Sequence, residues 1–331
     1  MPRVHFLNVA PGDCTIIQHA SGRTSMIDIC DGNIEEAVRK ALIAEATRTK
    51  PRGSFRMCRY PTNPIEYLGS LGIERIWRFI LTHPDMDHMD GLNRLVRQVG
   101  IDNFWDTGVT RDAPEFGEGC PYDEEDWKCY LRLRDGQVDG VTNLTKRAGA
   151  RFKFANRGAD GSGGGDAISI LAPNDALVAA ASEGDDINDG SYVLLYRSAG
   201  GRVLIPGDAH DATWEYVLDR YPTAVANCSI LIAPHHGRHS DRSFKFLDAI
   251  RPKLTLFGCA PAEDLAYDAW NSRELDFITS NQAGNIVIET ADDALDVYVE
   301  NDVFAEAKGY DPAIRNNQGY AWLGRIAETP E

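Results

Sequence analysis

The sequence has no C-x-x-C pair, no apolar run of eighteen residues and too few basic residues to balance its acids, and each absence closes off a class of protein. Seven cysteines (Cys14, Cys30, Cys58, Cys120, Cys129, Cys228, Cys259) are odd in number and scattered. Neither a disulfide framework nor a cysteine zinc site is expected from them, and reduced thiols, several in the core, are the expectation. The N-terminus runs from Met1-Pro2-Arg3 straight into strand-like sequence, so no secretory signal and no membrane partner are expected, and the expected location is the cytoplasm. With 34 Lys+Arg against 50 Asp+Glu the formal charge is −16, which argues against a broad footprint for duplex nucleic acid but leaves room for a nucleotide or short strand. Arg48, Lys50, Arg52, Arg56 and Arg59 form one acid-free basic stretch, read as a solvated loop in preference to an anion-binding arm. The six tryptophans are dispersed, without the basic-aromatic clustering that stacks bases.

A composition of 43% hydrophobic and 25% charged residues suits a globular chain with a sizeable core. Residues 3 to 9, 14 to 19 and 24 to 29 are β-type runs separated by turn residues, which predicts an opening antiparallel meander. Asn33 caps a predicted helix from Ile34 to about Thr47, a short helix follows near Pro64 to Leu71, and the apolar run Ile76 to Leu81 reads as a strand. Residues 107 to 165, rich in Asp, Glu, Gly and Pro, read as an insertion with helix near 123 to 134. Strands return at 168 to 171, 192 to 197, 202 to 205 and 229 to 233, with a helix over 211 to 221. This predicts an α/β architecture of two packed sheets flanked by helices, with residues 1 to 300 as one domain and 301 to 331 as a C-terminal extension carrying a strand near 320 to 326.

Three strand ends carry the chemistry. The strand at 76 to 81 empties into His83-x-Asp85-x-Asp87-His88, four potential ligands in six residues, before the helical spacing that begins at Gly91. Imidazole nitrogen and carboxylate oxygen are the donors that borderline and hard divalent metals accept. Leu204-Ile205-Pro206-Gly207-Asp208 presents a carboxylate at a second strand end, although a Gly-Asp pair taken singly is most often a turn. Ile230 to Ala233 then runs through Pro234 into His235-His236-Gly237.

Jointly, FLNVAPGDCTII, MIDICDG, LTHPDMDHMDGL, NDGSYVLLY, VLIPGD and APHHGRHSD resemble the metallo-β-lactamase superfamily, and more narrowly the hydrolase domain of ComEC-type competence proteins, over about residues 1 to 300. The resemblance implies a four-layer αββα sandwich holding two divalent metal ions, zinc or manganese. By that resemblance His83 and Asp85 serve one ion, Asp87 and His88 the other, Asp208 bridges, and His235 or His236 completes the second position. The chain departs from the pattern in three places. Asp85 stands where histidine is commoner. No histidine lies between His88 and His210, so Asn188 falls near the place of the first position's third imidazole. Leu265-Ala266-Tyr267-Asp268 lacks the later histidine of the ComEC-type pattern. These exchanges make the first position oxygen-rich, shifting preference from zinc toward manganese or magnesium, or leaving it weakly filled.

Two ions sharing a carboxylate activate a bridging water for hydrolysis. Asp87 would orient the nucleophile, and His210 or His239 would protonate the leaving group. A phosphodiesterase or nuclease acting on a small phosphodiester, a nucleotide or a short nucleic acid ranks first. Hydrolysis of a carboxylic ester, lactone, thioester or β-lactam is the enzymatic alternative, and a catalytically weakened metal-binding subunit serving a protein partner is the non-enzymatic one.

Overall fold

The computed structural model describes residues 1–9, 11–34, 55–160, 162–184 and 186–328. All but the first residue of the helix expected from Ile34 to Thr47, and the basic residues Arg48, Lys50 and Arg52, lie outside the described residues.

Strands β1 (Arg3–Phe6), β2 (Thr15–Gln18), β3 (Thr24–Ile27), β4 (Ile76–Ile80), β5 (Ile101–Asp106) and β6 (Thr142–Thr145) form most of a nine-stranded sheet. A six-stranded sheet follows from β7 (Ile168–Ala172), β8 (Val193–Ser198), β9 (Gly201–Ile205), β10 (Ile230–Ile232), β11 (Leu254–Phe257) and β12 (Phe277–Thr279). The chain then returns to the first sheet with β13 (Ile286–Thr290), β14 (Ala294–Val299) and β15 (Ala321–Ala327), giving the order β15-β14-β13-β1-β2-β3-β4-β5-β6. Strands β3 to β6 run parallel, as do β9 to β12.

The layering follows from the two-residue period of strand side chains. Ile17 points into a core shared with Ile230, Ile232, Val203, Ile205 and Leu194, the inner faces of both sheets. Its neighbour Ile16 points the other way, into a cluster with Leu92, Leu95, Trp127 and Leu133 from the helices Leu92–Gln98 and Glu124–Arg134. On the second sheet Leu231, Leu204 and Leu195 likewise turn outward, onto Trp214, Val217, Leu247 and Trp270 from the helices Asp211–Arg220, Phe246–Ile250 and Tyr267–Asn271. Strands apolar on both faces thus sit between helical layers, and the expected αββα sandwich is what forms.

The 107 to 165 stretch supplies the helix Glu124–Arg134 and the edge strand β6, and residues 301 to 331 supply the opposite edge strand, β15. Arg78 on β4, buried, binds Asp166 Oδ2 at 2.6 Å, the carbonyl of Phe154 at 2.7 Å and Ser25 Oγ at 3.1 Å. Asp166 also takes Arg23 and Ser21, so one buried carboxylate ties the end of that stretch to the first sheet.

The expectation of seven reduced cysteines is corrected: Cys58 and Cys259 form a disulfide across 201 residues of sequence, leaving Cys14, Cys30, Cys120, Cys129 and Cys228 free. Spacing could not reveal it, because Cys58, before β4, and Cys259, after β11, are brought together only by the tertiary fold. Denatured without reductant, five of the seven cysteines should therefore react with a thiol reagent, and all seven after reduction. Asp166→Ala, which strands the Arg78 guanidinium, should lower unfolding free energy by about 3–5 kcal/mol in urea titration.

Candidate metal centre

The parallel strands β4, β9 and β10 deliver the three motifs to one place, where the two sheets meet. Past β4, the Thr82 amide and hydroxyl donate to the two oxygens of Asp28, at 2.8 and 2.7 Å, and the Thr82 carbonyl accepts the amide of Tyr192 at 2.8 Å from the other sheet. Gly207, after β9, has φ +53, and a Cβ there would lie 2.7 Å from the Thr82 Cβ, so only glycine lets Asp208 approach the His/Asp loop. After β10, His235 and His236 both adopt left-handed backbone (φ 51 and 57), as does Asp28 (φ 57). Such conformations cost about 1–2 kcal/mol per non-glycine residue and cluster where function requires them.

The side chains converge on Asp208, itself 3% exposed. His88 Nε2 lies 3.2 Å from its Oδ1, while His83 Nε2 and His236 Nε2 each lie 3.9 Å from Oδ2. Asp87 reaches in from the loop, Oδ2 being 3.2 Å from His236 Nε2 and Oδ1 3.9 Å from His88 Nε2. His83 Nε2 is buried without a hydrogen-bond partner, and the pairs His88 Nε2–Asp208 Oδ1 and His236 Nδ1–Asp13 Oδ1, each 3.2 Å apart, meet by charge without well-aligned hydrogen bonds. An orphaned polar atom costs about 1–3 kcal/mol, a cost that a bound cation removes. Sets that could hold an ion are His83/His88/Asp208, Asp87/His88/His236 and Asp208/His235/His236.

The outer hydrogen bonds set which ring nitrogen faces inward. His88 Nδ1 donates to Asp28 Oδ2 at 2.8 Å, and His83 Nδ1 meets the Thr82 hydroxyl at 3.1 Å, whose own proton goes to Asp28. His236 Nδ1 faces Asp13 Oδ1 at 3.2 Å. Each of these three imidazoles therefore turns Nε2 inward, the arrangement by which outer carboxylates and hydroxyls orient metal-binding histidines. His235 differs. Its Nδ1 accepts from Arg242 Nη2 at 3.0 Å, so a neutral ring carries its proton on Nε2, 3.6 Å from Asp208 Oδ2.

Charge follows this geometry. Burial alone would lower the His88 and His236 pKa values, but Asp208, Asp28 and Asp87 hold His88 well above its ordinary value, and Asp13 and Asp208 hold His236 at about 10. Burial pushes His83 down to about 3, with the His88 charge adding to it, and burial takes His235 to about 4. Asp208 is held well below the usual carboxylate range: burial opposes its charge, but His88, His236 and His235 outweigh it.

Asp85, expected beside His83, stands apart. Its Oδ1 accepts the Met86 amide at 2.9 Å and pairs with Arg111 Nη1 at 3.0 Å, and the side chain is 40% exposed. Asn188 lies half-buried in the turn Ile187–Gly190, with its backbone amide donating to Asp186. His210 Nε2 donates to the Ser240 carbonyl at 3.0 Å, and its Nδ1 is 3.7 Å from Asp186. His239 is exposed, with its ring edge against Phe244. Sequence reasoning assigned no role to Asp28, Asp13, Thr82, Arg111 or Arg242. Asp13 and Asp28 do lie within the matched stretches FLNVAPGDCTII and MIDICDG, which was the available signal.

No family model matches this chain. It is 24% identical over 196 residues to the competence protein ComA of Neisseria gonorrhoeae, an alignment that covers 59% of this chain and 22% of that protein's length. Similar solved structures include a metallo hydrolase, a diphosphatase, metallo-β-lactamases and the diiron β-hydroxylase CmlA of Streptomyces venezuelae. Igni18, a metallo hydrolase of the archaeon Ignicoccus hospitalis, gives TM-score 0.46 at 11% identity over 87% of this chain and 100% of that one. A diphosphatase of the PhnP family gives 0.43 at 13% over 87% and 98%, and the Rm3 metallo-β-lactamase 0.38 at 12% over 70% and 76%.

In the metal-free protein, imidazole NMR should find His236 protonated through neutral pH and titrating near 10, with His83 and His235 neutral down to about 3 and 4. Because its folded pKa lies above the ordinary 6.5, protonated His236 stabilises the metal-free fold fully below about pH 6.5, and this contribution is lost as pH rises through about 10.

Proposed function

We propose that the protein is a metal-dependent hydrolase in which Asp87, His88, Asp208 and His236 hold a divalent ion, with phosphodiesters as the first-ranked substrates. The observation that carries this reading is the meeting of buried His88 Nε2 and Asp208 Oδ1, 3.2 Å apart, with Asp87 and His236 where the two sheets meet. Two carboxylates and two imidazoles suit zinc or manganese. When bound, the ion supplies a Lewis acid that polarises a substrate oxygen and makes water nucleophilic near neutral pH.

The remaining steps belong to the chain. Asp28 and Asp13 fix the tautomers of His88 and His236. Asp87, on the rim of the site, orients the attacking water. His235, neutral with its Nε2–H toward the site, donates a hydrogen bond to a substrate oxygen, whereas His210 is spent on the Ser240 carbonyl and His239 lies out in solvent. A cavity of about 430 Å³ beside the loop, bordered by Asp85, Met86, Arg111, Phe116 and Tyr122, receives the substrate. Phosphodiesters rank first on the ComEC-type motif order. The net charge of −16 favours a small phosphodiester or nucleotide over a long duplex.

With Mn²⁺ the protein should turn over bis-p-nitrophenyl phosphate, and Asp87→Ala should lower the rate by on the order of 100-fold or more. Bound metal without turnover would transfer the reading to esters, lactones and thioesters. No metal and no turnover under any supplement would end it. Since His88 and His236 enter protonated, calorimetry in buffers of different ionisation enthalpy should show about two protons released per ion at pH 7, with affinity falling as pH falls. Asp28→Asn should weaken ion binding about 10–100-fold in the same measurement.

A further inference from the structure

We infer that this centre holds one tightly bound divalent ion, at Asp87, His88, Asp208 and His236, and that Arg111 and Arg242 keep Asp85 and His235 out of a second position. The inference rests on the metal-hydrolase reading and concerns the number of ions.

A second ion beside His83 has His83 Nε2 and the shared Asp208 as ready donors, and needs at least one more. The candidates are Asp85, two residues along the loop from His83, and His235, whose Nε2 lies 3.6 Å from Asp208 Oδ2, and each is engaged by a guanidinium. Asp85 Oδ1 is shared between Arg111 Nη1 at 3.0 Å and the Met86 amide at 2.9 Å. Arg111 is steadied by the Pro84 carbonyl at 3.4 Å, and Asp85 falls outside every set of convergent ligand atoms among the described residues. His235 turns its one lone pair, on Nδ1, to Arg242 Nη2. Arg242 is itself buried, with Nη1 donating to the Ala209 carbonyl at 2.9 Å and Nη2 3.4 Å from the Asp208 carbonyl. A guanidinium stays protonated at any pH the fold survives, so neither arginine can release its partner by losing charge. Both also bring positive charge toward the place a second dication would enter. The position that keeps its full donor set, Asp87, His88, Asp208 and His236, has no arginine bound to any of those four side chains among the described residues.

The test is a Mn²⁺ titration of the full-length, metal-free protein, read by calorimetry for stoichiometry and by electron paramagnetic resonance for coupling between ions, on wild type, Arg111→Met and Asp85→Asn. Wild type should bind one ion with an uncoupled signal. Arg111→Met should gain a second ion, bound at least about tenfold more tightly than any second ion in wild type, with exchange-coupled lines. Asp85→Asn should leave the first ion's affinity unchanged. Two tight, coupled ions in wild type, one of them lost in Asp85→Asn, would overturn the inference and leave the hydrolase reading standing. A single ion in wild type and in folded Arg111→Met would overturn the role given to Arg111. No ion in any variant would overturn both readings together.

Discussion

Asp208 places a carboxylate, 3% exposed, where the two sheets meet, and much of the surrounding chemistry compensates that charge. An isolated buried carboxylate is too costly to keep ionised, so positive partners must come with it. The protein surrounds it with four imidazoles and the buried Arg242. Two of those imidazoles, His88 and His236, hold protons in the metal-free state because Asp28 and Asp13 stand behind them. The ring of charges is therefore self-consistent without an ion, with protons occupying the places a cation would take. Exchange of those protons for a metal keeps the balance of charge at His88, His236 and Asp208, which is why such a site can fold before it is loaded.

That compensation is delivered by backbone geometry. Parallel β9 and β10 end side by side, β4 ends opposite them on the other sheet, and the Tyr192 amide stitches the two sheets through the Thr82 carbonyl. Asp28, His235 and His236 accept left-handed backbone to aim their side chains inward, a local cost borne by the well-packed strands on either side. The disulfide adds a brace from behind. Cys259 follows Gly258, where even a methyl group would crowd the His236 Cβ at 3.0 Å, so the chain linked to Cys58 passes directly behind a site imidazole.

The sequence displayed the fold wherever one strand alternated between two apolar faces or emptied into a turn: β1 to β4 and β10 fall within the expected runs, and β7 to β9 overrun theirs by one residue each. The site's central residues were legible for the same reason, since His83, Asp87, His88, Asp208 and His236 all stand just beyond such strands. Strands β5, β6 and β11 to β14 carried no motif and were not anticipated, and β6, TNLT, is too polar and too short to announce itself; it is a strand because β5 offers it an edge. Asp28, Asp13 and Arg242 act on histidines 60, 223 and 7 positions away along the chain. Partners that meet only through tertiary structure leave no local spacing to read. The same holds for Cys58 and Cys259.

Asp85 marks the limit of reading a ligand from a motif. In HxDxDH every alternate residue has the chemistry to bind a metal, and strand-end geometry turns His83, Asp87 and His88 inward. Asp85 instead caps the short helical turn Met86–His88 and meets an arginine from the 107 to 165 stretch, a segment that the motif says nothing about. A carboxylate's role is decided by which cation reaches it first. A permanently charged guanidinium supplied by the same chain is present at unit effective stoichiometry, whereas an ion must be drawn from solution and dehydrated. A loop outside the motif thus decides what Asp85 binds, and the motif alone does not say which of its carboxylates stay free of other partners.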